Sequence, residues 1–190
     1  MILPIRAFGD AVLRKHCHEI DKDYPGLNEL ISNMFETMES AHGIGLAAPQ
    51  IGLDIRLFIA DLSPLAEDED YADIADELKD FKKVFINAKI LEESGEEWKF
   101  NEGCLSIPDV REDVKRKETI SIEYYDENFV KHTDTFSDMR ARVIQHEYDH
   151  IEGILFTDHL SSLKKKLVKG KLVKISHGDV AVNYKMRFPK

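Results

Sequence analysis

Two histidines four residues apart, with a glutamate directly after the first, constrain this chain more than any other feature: Gln145-His146-Glu147-Tyr148-Asp149-His150. On a helix that spacing sets both imidazoles on one face, where two nitrogens can bind a single metal ion. Glu147 falls beside the same face, where its carboxylate can take a proton from metal-activated water without being a ligand itself. Independent signals predict a helix over 137–152. Ser137 serves as N-cap, Met139, Val143 and Ile144 as apolar positions, and Gly153 as the stop. The plainer alternative is two histidines packed on an amphipathic helix with an exposed glutamate. It leaves the order of His and Glu unexplained and is the weaker reading.

The motif does not name its third ligand. One large group of metalloproteases takes a third histidine six residues after the second, and Phe156 stands at that position here. Other metalloproteases use a glutamate further downstream, but Glu152 is the last glutamate in the chain and sits too near on the same helix. The third ligand therefore comes from upstream, and Cys104 in Glu102-Gly103-Cys104-Leu105-Ser106 is the candidate. One thiolate with two imidazoles leaves a coordination position open, the layout of a catalytic site. Taken alone, Cys104 is more often a small buried hydrophobe, and Cys17 keeps that reading. A third segment, Gly43-Ile44-Gly45-Leu46-Ala47-Ala48-Pro49-Gln50-Ile51-Gly52, has small residues that let an extended ligand lie against the backbone. The Gln50 amide can donate to a developing oxyanion. The segment lacks the Gly-Lys-Ser/Thr of a phosphate-binding loop.

At 190 residues the chain suits one domain, 1–190, and its two cysteines fit a reducing compartment. The start lacks the pattern of a secretory signal, and no apolar run reaches spanning length, so the expectation is a cytoplasmic protein without membrane contact. The net charge of −10 is uneven: 161–190 carries nine Lys/Arg against Asp179 alone, a net +8 that leaves −18 on the first 160 residues. Eight acids and Lys79 lie between Glu67 and Asp80. An acidic body argues against DNA binding, while the basic C-terminal extension leaves room for a local RNA contact. The simpler reading of both charge runs is a solvated surface.

Apolar periodicity predicts an amphipathic helix over 27–41 and a strand at 56–61. The acidic stretch 63–80 reads as a surface insertion with helical turns near 71–78. Strand character at 83–87 and around Trp98 is followed by a hairpin, 119–125 with 129–136, turning at 126–128. A shorter helix is predicted over 160–168, with Asp158 before it, and a terminal strand over 180–186. The predicted class is α+β: small antiparallel sheets packed around a central helix that carries the two histidines, with an N-terminal amphipathic helix and a short C-terminal one.

The segments GIGLAAPQIG, EGCLS and QHEYDH, in this order, resemble the peptide deformylase family, whose members remove the N-formyl group from nascent chains. The resemblance covers about residues 5 to 163. It implies Cys104, His146 and His150 as metal ligands and Glu147 as the acid/base. Gln50 and the Leu105 N–H become the oxyanion hole, and Gly45 part of the substrate groove. It also implies one divalent metal ion, natively Fe(II), with Zn, Ni or Co able to substitute, and N-formylmethionyl peptides as substrates. Water activated by the metal would attack the formyl carbon, with Glu147 carrying the proton to the departing amine and formate released. An apolar pocket for the methionine side chain is expected from Met139 and Val143, which share the helical face of His146, with Ile44 opposite. The peptide backbone would pair with the strand near Ile44. Asp149 is expected to pair with Arg116, and Arg111 to lie near the groove. Some relatives end in a long helix that docks on the ribosome near the exit tunnel. The basic tail keeps that partner in view, although its sequence pattern differs. The expected state is a monomer.

Two other functions compete at this level. A metallopeptidase of the HExxH type explains the helix but not Phe156. A metal-binding module without catalysis needs neither Glu147 nor Gln50.

Overall fold

The computed structural model describes residues 1–189; Lys190, the last basic residue of the extension, lies outside them. Its centre is one antiparallel five-stranded sheet in the order β2-β3-β4-β5-β6. The strands are β2 (Gly45–Ala47), β3 (Leu57–Asp61), β4 (Lys82–Cys104), β5 (Ile107–Tyr125) and β6 (Lys131–Ser137). Helix α1 (Leu27–Ser40) covers one face and α3 (Asp138–Ile151) the other. Alternation along β3 shows how. Leu57 and Ile59 join the α1 side with Met34 and Met38, while Phe58 and Ala60 join the α3 side with Phe85, Tyr124 and Ile144. A strand covered on both faces reads as a near-continuous apolar run, and every residue of β3 is buried, the terminal Asp61 included.

The sequence predicts small sheets and two separate strand signals at 83–87 and Trp98. These belong to a single strand, β4, of 23 residues. Register shifts after Ile86, Ile90 and Ser94 bend its long hairpin with β5, so one ladder serves where several were expected. At the hairpin tip Cys104 pairs with Ile107, leaving Leu105 and Ser106 as the turn. A second, two-stranded parallel sheet joins β1 (Ile5–Arg6) to β7 (Met186–Arg187).

Four further expectations are corrected. Ser137 occupies the N-cap position of α3 without a side-chain cap; its hydroxyl instead meets Thr119 Oγ1 at 3.1 Å, across the β5–β6 ladder. The C-terminal helix α4 is not short: it runs Ser162–Ser176, capped by Ser161 rather than Asp158. It passes Gly170 because Val168 and Ile175, two turns apart, are buried against Leu155, Phe156 and Leu160, and packing outweighs the helix-weakening glycine. The terminal strand is reduced to β7, since its partner β1 offers only two residues. The stretch 63–80 forms short helical turns and α2 (Ala75–Leu78). It is only partly a surface feature, for Leu78 is fully buried and Tyr71 and Ile74 pack on the α3-side core.

Candidate metal centre

Helix α3 presents His146 and His150 toward the β4–β5 tip, and that tip carries Cys104 between them. The ligand atoms of Cys104, His146 and His150 lie within 4.8 Å of one another, the one such group of three among the described residues. Cys104 Sγ is 3.3 Å from His150 Nε2. Burial opposes charge on the thiol, but His150 and His146 outweigh it and bring Cys104 down to about 5. A ready thiolate beside two imidazoles is a donor set that a divalent ion fits, displacing the protons the three groups otherwise share. Phe156 stacks on His146 with ring centroids 6.2 Å apart, so the metalloprotease position for a third histidine holds an apolar wall instead.

Behind the ligands lies a buried ionic shell. Glu102 receives Arg116 through Nε at 2.7 Å and Nη2 at 3.0 Å, and Arg142 Nη1 at 2.8 Å. His146 Nδ1 donates to the same carboxylate at 3.0 Å, which leaves its Nε2 lone pair for a metal. Burial works against ionised Glu102, yet His146 and Arg116 hold it far below the usual carboxylate range. Arg116 Nη1 also reaches Asp149 Oδ2 at 2.8 Å, as the resemblance implies, and His159 Nε2 meets the same oxygen at 2.8 Å. Arg142 lies over the Trp98 ring at 4.3 Å. Reading the sequence assigns Glu102 and Arg142 no part in this shell. The signals available were a glutamate beside Gly103-Cys104 and an arginine one turn before His146.

Glu147 is buried, and its Oε2 has no hydrogen-bond partner although the residue lines a cleft. Burial pushes its carboxyl up to about 7, against the pull of His146 and His150, a value that suits giving and taking protons near neutrality. Strand β2 passes so close that a Cβ on Gly45 would collide with the Glu147 carboxylate, so only glycine fits there. Gln50 is fixed by accepting from the Ala47 N–H at 2.8 Å. Its Nε2 therefore faces Cys104 Sγ at 3.5 Å and Ser106 Oγ at 3.3 Å.

The cleft holds about 780 Å³, and its walls include Ile44, Gly45, Gln50, Leu105, Arg111, Met139 and Val143 together with Cys104, His146 and Glu147. His150 sits behind this wall, buried at the base of the triad. Every residue singled out in the sequence thus converges on one site. Arg111 is exposed at the rim and donates to Asn101. Cys17 stays apart, buried in the core with its thiol pushed up to about 11 by burial. The cleft also has a wall that the sequence reading missed: residues 181–184 of the C-terminal tail. No local signal points to it, because only the return of the tail brings it there.

Comparison with known proteins points to one family. The model of the polypeptide deformylase family matches residues 2–166. The peptide deformylase of Christiangramia forsetii is 63% identical over 190 residues, covering 100% of this chain and 97% of that protein. The Flavobacterium johnsoniae peptide deformylase is 60% identical, covering 99% and 96%. Among solved structures, the Thermus thermophilus peptide deformylase superposes with a TM-score of 0.79 at 38% identity, covering 92% of this chain and 98% of that one. The Legionella pneumophila enzyme gives 0.79 at 35% identity, covering 94% and 98%.

Proposed function

The chain belongs to the peptide deformylase family and is a deformylase hydrolase, and from that premise we propose how its residues remove the formyl group from N-formylmethionyl peptides. The observation that carries the reading is the buried, unpartnered Glu147 Oε2 beside the converging Cys104, His146 and His150. A divalent ion on those three ligands, natively Fe(II) with Zn, Ni or Co as substitutes, supplies Lewis acidity toward water and the formyl carbonyl. Glu147 accepts the proton of the attacking water and passes it to the departing amine, so formate and a free N-terminus result. Gln50 Nε2 and the Leu105 N–H donate to the formyl oxygen as charge gathers there. Met139 and Val143 on α3, with Ile44 opposite, receive the methionine side chain.

Strand β2 is an edge strand bordering the cleft. An extended substrate adds to it as a further strand, and Gly45 keeps that approach clear. Arg111 at the rim meets the substrate beyond its first residue. Asp149 and Glu102 act through Arg116 and His146, holding the ligands in orientation. We place this work in the cytoplasm, by a monomer whose 1–190 chain is one catalytic domain. No helix among the described residues is long and apolar enough to cross a membrane. The basic face of α4 is the surface offered to the ribosome.

The test is formate release from formyl-Met-Ala-Ser by anaerobically purified, Fe(II)- or Ni(II)-loaded protein beside a Glu147→Ala variant. The variant is expected to lose about 10²–10⁴-fold in kcat while keeping its metal. Equal release by both proteins would remove Glu147 from the mechanism.

A further inference from the structure

The match to the family model ends at residue 166, inside α4, and the tail beyond that helix lies outside it. After the turn at Gly178 the chain runs back to the cleft. Val182, Tyr184, Met186 and Phe188 are half-buried and alternate with exposed Ala181, Asn183, Lys185 and Arg187. That period of two is strand-like even where no ladder forms. Residues 181–184 wall the same cleft as Cys104, Gln50 and Glu147.

The turn Leu105–Ser106 at the β4–β5 tip explains why this return matters. Turn carbonyls lie outside the strand ladder and must find donors elsewhere. Tyr184 Oη donates to the Leu105 carbonyl at 2.8 Å. The Phe8 N–H donates to the Ser106 carbonyl at 2.8 Å. Phe8 lies just after β1, and β1 is tied to the tail by Ile5 N–H to the Lys185 carbonyl and Ala7 N–H to the Arg187 carbonyl, both 2.9 Å. The tail therefore holds the turn twice, directly through Tyr184 and indirectly through β1. Gln50 grips the Ser106 hydroxyl from another side.

We propose that the C-terminal tail around Tyr184 is a positioning and specificity element of this site. Tyr184 holds the Leu105–Ser106 turn so that the Leu105 N–H faces the formyl oxygen, and residues 181–183 form the wall along which substrate residues beyond the first lie. The inference rests on the deformylase reading above. Charge on the formyl oxygen grows only toward the transition state, so loosening the turn costs kcat rather than substrate binding. A purely structural tyrosine would lower melting temperature without that split.

The experiment compares wild type, Tyr184→Phe and Asn183→Trp, all metal-loaded, on formyl-Met-Ala-Ser and on formyl-methionine amide, with thermal melts alongside. Tyr184→Phe keeps the ring and removes one hydrogen bond. It is expected to lower kcat about fivefold on both substrates with KM within about twofold. Asn183→Trp, an exposed change that keeps the test open should Tyr184→Phe fold poorly, is expected to raise KM about fivefold for the tripeptide relative to the amide. Wild-type kcat and KM in Tyr184→Phe would overturn the positioning role. An unchanged KM ratio in Asn183→Trp would overturn the wall. A wild type silent on both substrates would instead overturn the deformylase reading, and the inference with it.

Discussion

The stretch 63–80 and the shell behind the candidate metal ligands are both crowded with charge, and they carry it in opposite ways. From Glu67 to Asp80 the eight acids all face solvent. The Asp76–Lys79 pair there has side chains 91% and 56% exposed. In the shell, Glu102, Arg116 and Arg142 are 4%, 5% and 2% exposed, and each guanidinium is aimed at a carboxylate. The surface acids repel one another weakly through water, and their helical turns are held by Leu62, Leu78 and Tyr71 beneath them. The buried charges have no water to fall back on, so each depends on its partner. What a charge does for the fold is decided by its surroundings, and counting charges along the chain does not reveal it.

That contrast is open to direct attack. Glu102→Ala leaves Arg116 and Arg142 buried without their shared carboxylate. It is expected to cost roughly 3–5 kcal/mol in a urea melt. A loss below about 1 kcal/mol would mean that water or a neighbouring carboxylate takes over, and the shell would then resemble the surface. Next in size, Asp149→Asn keeps the shape but weakens the hold on Arg116 and His159. Metal affinity by competition with a chelator is expected to fall about 10–100-fold. Unchanged affinity would remove Asp149 from ligand support. The smallest effect belongs to the surface: Asp68→Asn, Asp70→Asn and Asp73→Asn together are expected to shift stability by no more than about 0.5 kcal/mol in either direction. A larger loss would show that the acidic stretch is bound by its charges rather than by its apolar underside.

The functional site was more legible than the fold around it. Spacing in 145–150 points to two candidate ligands and a candidate base, because a helix is a local structure whose geometry one short segment settles. Elimination of Glu152 and Phe156 sends the third ligand upstream, where Cys104 is the candidate, and the resemblance implies Cys104, Leu105 and Gly45 as site residues. The sheet was harder to read. Lys83–Asn87 and Trp98 are signals from one bent strand, and the bulges that join them arise from pairing with β5 rather than from their own composition. The length of α4 is illegible for a related reason: the predicted helix stops at 168, and only the burial of both Val168 and Ile175 in the packed chain carries it on to Ser176.

By itself, then, the sequence determined what depends on local spacing: the histidine pair and Glu147 on one helix, the small residues of 43–52, and the cysteine beside Gly103 as candidate third ligand. Tertiary structure decided what depends on segments distant along the chain. It placed Glu102 between Arg116, Arg142 and His146, left Glu147 Oε2 buried without a partner, and brought Tyr184 back to Leu105, 79 residues away along the chain. The physical reason is one of range. A helix turn fixes neighbours by backbone geometry alone, whereas a buried charge or a turn carbonyl takes its partner from whatever the packed chain sets beside it.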